Sequence, residues 1–154
     1  MSGRQLETVK LAARLKLDGE VDESLFKTYK AVVNELLDHA HSKGITSFER
    51  LKSEKYHEMR QKYPELPSHY IYTACQLARS IYKSFRKLKR RGKVKKDRPL
   101  LRKDVIMLDD HLFSLDLESW TAAFPRLTED GDSSSCMESI TRGLRVGRLG
   151  KRGL

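Results

Sequence analysis

The apolar positions at the start of the chain alternate with polar ones, and then their period lengthens. Between residues 7 and 17 apolar side chains alternate with basic or small ones, which predicts a β-strand. Over residues 23–42 the large apolar residues recur on one side of a helical wheel, which predicts an amphipathic helix. Asp22 is the predicted N-cap of this helix, and Gly44 its predicted end.

Two further helices are predicted from the same helical period. The second opens at Ser47 and stops before Pro64, because a proline disfavours helical backbone in the residue before it. The third is predicted to have Ser68 as its N-cap and to be broken by Gly92. Its apolar residues recur at intervals of three and four, as in a helix that packs in a bundle or a coiled coil. They are Ile71, Ala74, Ala78, Ile81, Phe85 and Leu88.

Strand-like patterns return after Pro99. Residues 100–108 and 112–117 predict two strands joined by a hairpin turn at Asp109, Asp110 and His111. Residues 119–154 show neither period and contain Ser-rich and Gly/Arg-rich runs, which predicts an irregular or disordered tail. The order β-α-α-α-β-β predicts an α+β fold. It divides the chain into four segments: 1–19, 20–92, 93–118 and 119–154.

The basic residues are concentrated in one stretch of the chain. The 25 residues from Arg79 to Lys103 hold 13 lysines or arginines and one acid, Asp97, so they carry +12 while the whole chain carries +10. Such a local excess is typical of a polyanion site, although a charged helix face is more often only a solvated surface. The predicted nucleic-acid-binding cations are Arg79, Lys83, Arg86, Lys87, Lys89, Arg90, Arg91, Lys93, Lys95, Lys96, Arg98, Arg102 and Lys103. Tyr72 and Tyr82 are candidates for stacking on a base, with half-buried packing as the alternative.

The sequence offers no catalytic or metal motif. Walker A, GxGxxG, GxSxG and HExxH patterns are absent, and the five histidines are too scattered for a metal site. Cys75 is expected to pack in the third helix, and its distance in sequence from Cys136 excludes a zinc knuckle. We therefore predict no catalytic residue, no metal and no cofactor. With no signal peptide or membrane-spanning run, the expected location is the cytoplasm and no membrane partner is expected.

Several short motifs occur in an order that resembles a known family. They are the opening strand TVKLAARLKL, Tyr29, Val33-Asn34, Tyr56, Arg60, the run Tyr63-Pro64-Glu65-Leu66-Pro67-Ser68, Ala78, the run Tyr82-Lys83-Ser84-Phe85, and Arg98-Pro99-Leu100. Together they resemble the N-terminal region of the TnpB/OrfB family, transposon-encoded RNA-guided DNA nucleases related to type V CRISPR effectors. The resemblance covers about residues 7–118.

The resemblance implies a particular fold and ligand. Residues 20–92 would be a three-helix recognition lobe inserted in an incomplete oligonucleotide-binding-like β-barrel. The basic stretch would line a channel that holds guide RNA or an RNA–DNA hybrid by its backbone. The RuvC-like nuclease domain of the family would follow the barrel. The resemblance thus implies a truncated fragment without catalytic activity, whose tail after Ser119 we hypothesise to be an out-of-frame extension.

Two other functions fit the same sequence. The Pro64–Ser68 turn between two helices suggests a helix-turn-helix DNA-binding regulator, with the third helix in the major groove. The apolar stripe from Ile71 to Leu88 suggests a helical protein-interaction module, whose stripe contacts a partner.

Overall fold

The structure, a computed structural model, describes residues 15–16, 22–116, 118–119, 121–125, 127, 137–141 and 145–146. Its helices are α1 (Glu23–Lys43), α2 (Phe48–Lys62) and α3 (Ser68–Arg90). Its strands are β1 (Leu15–Lys16), β2 (Ser114–Asp116), β3 (Thr121–Pro125), β4 (Met137–Thr141) and β5 (Arg145–Val146). The fold is therefore of the α+β class, as predicted. None of the described helices is long and apolar enough to cross a membrane.

The helix ends follow the capping residues with one exception. The side chain of Asp22 accepts a hydrogen bond from the Ser24 N–H, and that of Ser47 accepts one from the Arg50 N–H. Gly44 ends α1 with a φ of 66°. Ser68 was predicted as the N-cap of α3, which is wrong: the extended cap residue is Pro67 and it makes no side-chain bond. Ser68 is the first helical residue because Pro67 already holds the backbone geometry that an N-cap needs.

Gly92 reverses the chain after α3. Its φ is +67°, and its N–H donates to the Lys89 carbonyl while the Lys93 N–H donates to the Leu88 carbonyl, each at 3.0 Å. These two bonds form a Schellman motif, which closes the last turn of a helix and needs a left-handed residue. The chain after Gly92 therefore folds back toward α3.

Replacing Gly92 with alanine is expected to destabilise the protein by about 1 kcal/mol, because a residue with a Cβ pays to adopt a left-handed backbone. The added Cβ itself meets no atom within 4 Å, so the cost comes from the backbone alone. Chemical denaturation measures it, and Gly92→Asn is the control, since asparagine tolerates this conformation better. If the two variants were equally stable, the left-handed backbone at residue 92 would not be the cause of the cost.

The three helices form a bundle around one apolar core. Tyr29 of α1 contacts Tyr70 of α3 near their starts, and His41 contacts Tyr82 near their ends, so α1 and α3 run in the same direction. Glu35 of α1 pairs with Lys62 at the end of α2, whereas His39, later in α1, pairs with Glu54, earlier in α2, so α2 is antiparallel to both. The fully buried large side chains are Tyr29, Tyr70, Leu25, Leu36, Leu37, Ile45, Leu51, Met59, Ile71, Val32, Val33 and Thr73. Burying each large apolar side chain contributes roughly 1.5–3 kcal/mol.

The predicted apolar stripe of α3 is buried for most of its length. Ile71, Ala74, Ala78 and Phe85 lie in the core, whereas Leu88 is 39% exposed. The buried side of α3 is wider than the stripe because it packs against both α1 and α2, and Cys75 lies in it as predicted. The stripe is thus largely used within the bundle.

Residues 98–109, here called the strap, lie along α1 in the opposite direction. Asn34 makes two hydrogen bonds to Leu101: its Nδ2 donates to the carbonyl at 3.1 Å and its Oδ1 accepts from the N–H at 2.8 Å. Lys30 forms an ion pair with Asp104. Further along the strap, the Met107 N–H donates to the Tyr29 hydroxyl. Side chains of α1 thus satisfy backbone groups of the strap.

The predicted strand at 100–108 and its hairpin are therefore wrong. The strap pairs with no described strand, and the amide of Asn34 takes the place of a strand partner at Leu101. The predicted turn does form, since the Leu112 and Phe113 N–H groups both donate to the Asp109 carbonyl. The strand that follows the turn, β2, lies within the predicted range 112–117 and pairs with β3 instead of the strap.

The described strands form two sheets. β2, β3 and β4 form an antiparallel sheet in that order, and β1 pairs with β5. The Tyr70 hydroxyl donates to the Pro125 carbonyl at 2.6 Å, and Phe124 is buried in the core, so β3 is attached to the bundle. β3 was not predicted, since residues 119–154 showed no strand period. Most of the strand predicted at 7–17 lies outside the described residues, apart from β1.

Candidate nucleic-acid interface

The predicted cations lie on the second half of α3 and on the chain that leaves it. All thirteen are described, and all except Arg79 and Arg86 are exposed. The first half of α3 packs between α1 and α2 and is mostly buried, so most of the exposed residues of α3 lie in its second half. The cations from Arg79 to Lys103 are called here the cationic surface.

Three members of the cationic surface already have partners. The Arg79 Nε donates to the Thr46 carbonyl at 3.2 Å, which ties α3 to the loop between α1 and α2. Lys89 lies 3.5 Å from the Asp97 carboxylate, and Arg98 lies 3.5 Å from that of Asp38. Arg79 therefore has a structural role that its position in the sequence did not reveal.

The other members have no ion-pair partner among the described residues. Within the described parts of the chain, ten of them make neither an ion pair nor a side-chain hydrogen bond. These unpaired cations are Lys83, Arg86, Lys87, Arg90, Arg91, Lys93, Lys95, Lys96, Arg102 and Lys103. Mutual repulsion among them destabilises the free protein unless an anion neutralises it.

A favourable contact with the helix dipole explains only part of this charge. Lys87, Lys89 and Arg90 lie in the last turn of α3, where positive charge stabilises the helix end. The macrodipole is equivalent to roughly half an elementary charge, which offsets little of the +12 between Arg79 and Lys103. The last turns of α1 and α2 carry fewer basic residues.

The two candidate stacking tyrosines are both engaged in packing. Tyr72 is half-buried, with its ring stacked on His69 at a centroid distance of 5.1 Å and edge-on to Phe48 at 5.0 Å. The Lys52 Nζ lies 4.9 Å from the same ring centroid. Tyr82 is only 4% exposed. The packing alternative that the sequence left open therefore fits both residues, with Tyr72 half-buried and Tyr82 buried.

Two concave sites flank Phe85 on α3. One is a cavity of about 350 Å³, lined by His41, Tyr82, Phe85, Arg86, Lys89 and Arg90. The other is a groove of about 420 Å³ between α3 and residues 94–100. Both open within the cationic surface, so both are accessible to a ligand that it attracts.

A histidine–aspartate cluster was missed in the sequence. His69 Nε2 lies 2.6 Å from Asp109 Oδ2, and the rings of His69 and His111 meet edge-on at 4.9 Å. Desolvation acts to raise the pKa of Asp109, but hydrogen bonds from His69 and the His111 N–H outweigh it and hold that pKa below its usual value. The cluster fastens the end of the strap to α3. Among the described residues, no group of three or more His, Cys, Asp or Glu side chains is placed to hold a metal ion.

Cys75 is placed as a packing residue. It is buried, and desolvation raises the pKa of its thiol to about 12. Since the thiolate is the reactive form, this thiol is a poor nucleophile and metal ligand at neutral pH. Cys136 lies outside the described residues.

The chain belongs to the uncharacterized protein MJ0013 family. A model of the uncharacterized protein MJ0013 family matches residues 25–121, and that range includes most of α1, all of α2 and α3, the strap and β2. The matched range therefore contains most of the helical bundle and the segment that carries the cationic surface in this chain.

Two relatives come from Methanocaldococcus jannaschii. Uncharacterized protein MJ0857 is 32% identical over 114 residues, which are 69% of this chain and 42% of that protein. Uncharacterized protein MJ0752 is 36% identical over 77 residues, which are 49% of this chain and 99% of that protein. The chain thus spans less than half the length of MJ0857. No solved structure matches the chain.

Proposed function

We propose that the chain binds nucleic acid through its cationic surface and has no catalytic activity of its own. The observation that supports this most is the set of ten unpaired cations, which lie together on one helix end and the segment after it. A small anion would engage two or three of them. A polymer of phosphates neutralises many at once, and the release of its counterions drives the binding.

RNA or an RNA–DNA hybrid is the ligand that we propose ahead of duplex DNA. The unpaired cations of α3 span roughly 10 Å of helix, at about 1.5 Å per residue, and the exposed segment after Gly92 extends them. Such an array contacts backbone phosphates, which position a nucleic acid but do not specify its sequence. This mode agrees with the TnpB/OrfB resemblance, in which a heteroduplex is held by its backbone.

That resemblance carries finer proposals. The strands would belong to an oligonucleotide-binding-like barrel, the bundle would be a recognition lobe, and the chain would be a truncated, transposon-encoded relative lacking the RuvC-like nuclease domain. The comparisons name only the MJ0013 family and uncharacterized relatives, so these remain predictions. They are separate from the proposal that the cationic surface binds nucleic acid.

The arrangement of α3 favours this proposal over a helix-turn-helix regulator. In that class the N-terminal residues of the second helix contact the base edges. Here Tyr70, Ile71 and Thr73 are fully buried and the cations follow later in the helix. An interaction module is also less favoured, since most of the apolar stripe is used within the bundle.

A salt titration tests the proposal. We expect fluorescence anisotropy to show binding of single-stranded RNA and of an RNA–DNA hybrid. The logarithm of the association constant should fall linearly with log salt between about 50 and 200 mM, with a slope of about −4 or steeper for six neutralised phosphates. Polyglutamate of matched charge is the control polyanion and should bind far more weakly. Equal binding of polyglutamate, or no binding of any nucleic acid at the lowest salt, would contradict the proposal.

A further inference from the structure

The groove between α3 and the segment that follows it has walls of two different kinds. Its volume is about 420 Å³, within the roughly 300–1,000 Å³ of pockets that hold small organic ligands. Apolar side chains make most of its surface, and they are Ile81, Phe85, Leu88, Val94, Pro99 and Leu100. Polar groups complete it, namely the hydroxyls of Ser80 and Ser84 and the basic side chains of Lys96 and Arg98.

The wall of the groove that follows α3 is held in place by contacts at both of its ends. The Schellman motif at Gly92 turns the chain back alongside α3. At the other end, Arg98, which also lines the groove, pairs with Asp38, and Leu101 is fixed by both amide atoms of Asn34. Pro99 is buried between these two anchors. The groove is therefore formed before any ligand arrives, which lowers the entropic cost of binding.

The groove exposes apolar side chains within the cationic surface. Leu88 is 39% exposed and Leu100 is 46% exposed. The Ser80 and Ser84 hydroxyls are exposed and make no hydrogen bond to any described residue. A matching ligand has an apolar face, hydrogen-bonding atoms at its edge, and a negative charge that reaches the rim cations. A nucleotide has all three features.

We propose that this groove is a nucleobase subsite that receives an unpaired base of a single strand, whose phosphates bind the neighbouring cations. The inference rests on the proposed nucleic-acid function and deepens it. A base in a duplex is paired and stacked, and must be extruded at a cost of a few kcal/mol before it can enter such a site. The subsite therefore makes the protein prefer a single strand over any duplex, so that an RNA–DNA hybrid would bind through its backbone alone.

A docked protein helix fits the groove less well. An amphipathic helix binds through a row of anchors at successive turns and needs an elongated apolar groove. Here the apolar surface is confined to one site, and its rim is cationic at Lys96 and Arg98. An apolar side chain of an acidic protein segment is the rival occupant, and the test below separates it from a base.

The test compares a short single-stranded RNA with an abasic strand of the same length and charge. We expect the folded full chain to bind the RNA about tenfold more tightly than the abasic strand, since contacts to a base are lost while those to phosphate remain. Ser84→Trp fills the groove and should bring the two affinities to within about twofold. Ser53→Trp on α2 is the control, because Ser53 is also an exposed helical serine, and it should keep the tenfold difference.

Leu100→Ser provides a second groove variant if the tryptophan disturbs folding. It should also reduce the difference in affinity between RNA and the abasic strand. Equal binding of RNA and abasic strand by the unaltered chain would overturn the subsite while leaving backbone binding intact. No binding of either strand at low salt would overturn the proposed function itself. If both groove variants still bound RNA more tightly than the abasic strand, the base would bind elsewhere. That result would also overturn the subsite, and a protein side chain would then be the favoured occupant of the groove.

Discussion

Replacing Lys83, Lys87 and Arg90 with alanine is expected to weaken nucleic-acid binding on the order of a hundredfold at about 0.15 M salt. These residues are spaced four and three apart, so they lie on one face of α3, and all three are exposed and unpaired within the described structure. Each lost phosphate contact should also make the salt slope shallower by about one. The slope of the triple variant should therefore be about three units less steep, as measured by anisotropy across the same salt range.

A second triple variant removes equal charge elsewhere and serves as the control. Lys27, Lys43 and Arg60 are exposed, and Lys43 and Arg60 occupy last helical turns just as Lys87 and Arg90 do. Their replacement by alanine should change the affinity only a few-fold, through long-range attraction. Equal losses in the two variants would mean that net charge, and not the cationic surface, determines binding.

The thermal midpoint separates a binding defect from misfolding. Alanine is the best helix former, and removing three mutually repelling charges from α3 relieves strain in the free protein. Alanine at Lys87 and Arg90 also removes their favourable interaction with the helix dipole, about 0.3–1 kcal/mol each, which the relieved repulsion and the higher helix propensity offset. The variant in Lys83, Lys87 and Arg90 should therefore unfold close to the midpoint of the unaltered chain, and a much lower midpoint would show that misfolding contributes to the loss of binding.

The helices could be predicted because their signals are local. Asp22, Ser47 and Gly44 mark helix ends through bonds to residues two to four positions away, so the sequence around each of them is sufficient. The exception at Pro67 has the same origin, since proline and serine are adjacent and both suit the start of a helix. The buried side of α3 was predicted too narrow, because its width depends on two helices that pack from different sides.

The strap could not be predicted because its partners are distant in the chain. The apolar residues at both ends of Leu100 to Leu108 suggested a strand, but this segment joins no sheet among the described residues. A segment becomes a strand only if another strand satisfies its backbone N–H and carbonyl groups. At Leu101 the side chain of Asn34, 67 residues away, satisfies them instead. In the same way β3 gave no signal, since its five residues TAAFP contain few β-formers and owe their conformation to β2 and β4.

The candidate interface was predictable in composition but not in detail. A run of basic residues with one acid indicates where the charge lies, and all but two of its members are exposed. The sequence does not show that Arg79 is tied to Thr46, or that Tyr72 is stacked on His69. Nor does it show the groove, because one wall belongs to α3 and the other depends on contacts that residues 98–101 make with α1.

Asn34 connects the fold to both proposals. By fixing Leu101 it holds the end of the segment from Lys93 to Arg98 that carries a large part of the cationic surface. The same contact holds Pro99 and Leu100 against the groove. A substitution at Asn34 therefore acts on the nucleobase subsite although its side chain does not line it.

Replacing Asn34 with leucine, whose side chain has the same number and branching of heavy atoms, is expected to destabilise the protein by about 2 kcal/mol. The change leaves the partly buried N–H and carbonyl of Leu101 without their partners, and such unsatisfied groups cost roughly 1–3 kcal/mol. The higher helix propensity of leucine offsets a few tenths of that cost. Chemical denaturation measures the loss, and faster amide hydrogen exchange at Leu101 would place it in the strap.

Ala31→Leu is the matched control for this substitution. Ala31 lies on α1, is exposed and makes no contact that the substitution would remove, so its replacement should change stability by no more than about 0.5 kcal/mol. If Asn34→Leu were as stable as this control and kept the Leu101 amide protected, water or another group would have to satisfy the strap, and the amide of Asn34 would not be what fixes it. If the strap is released as expected, Asn34→Leu should also reduce the preference for RNA over an abasic strand. The first half of α3 would keep its place in the bundle, because Tyr70, Ile71 and Ala74 pack in the core and not against the strap alone.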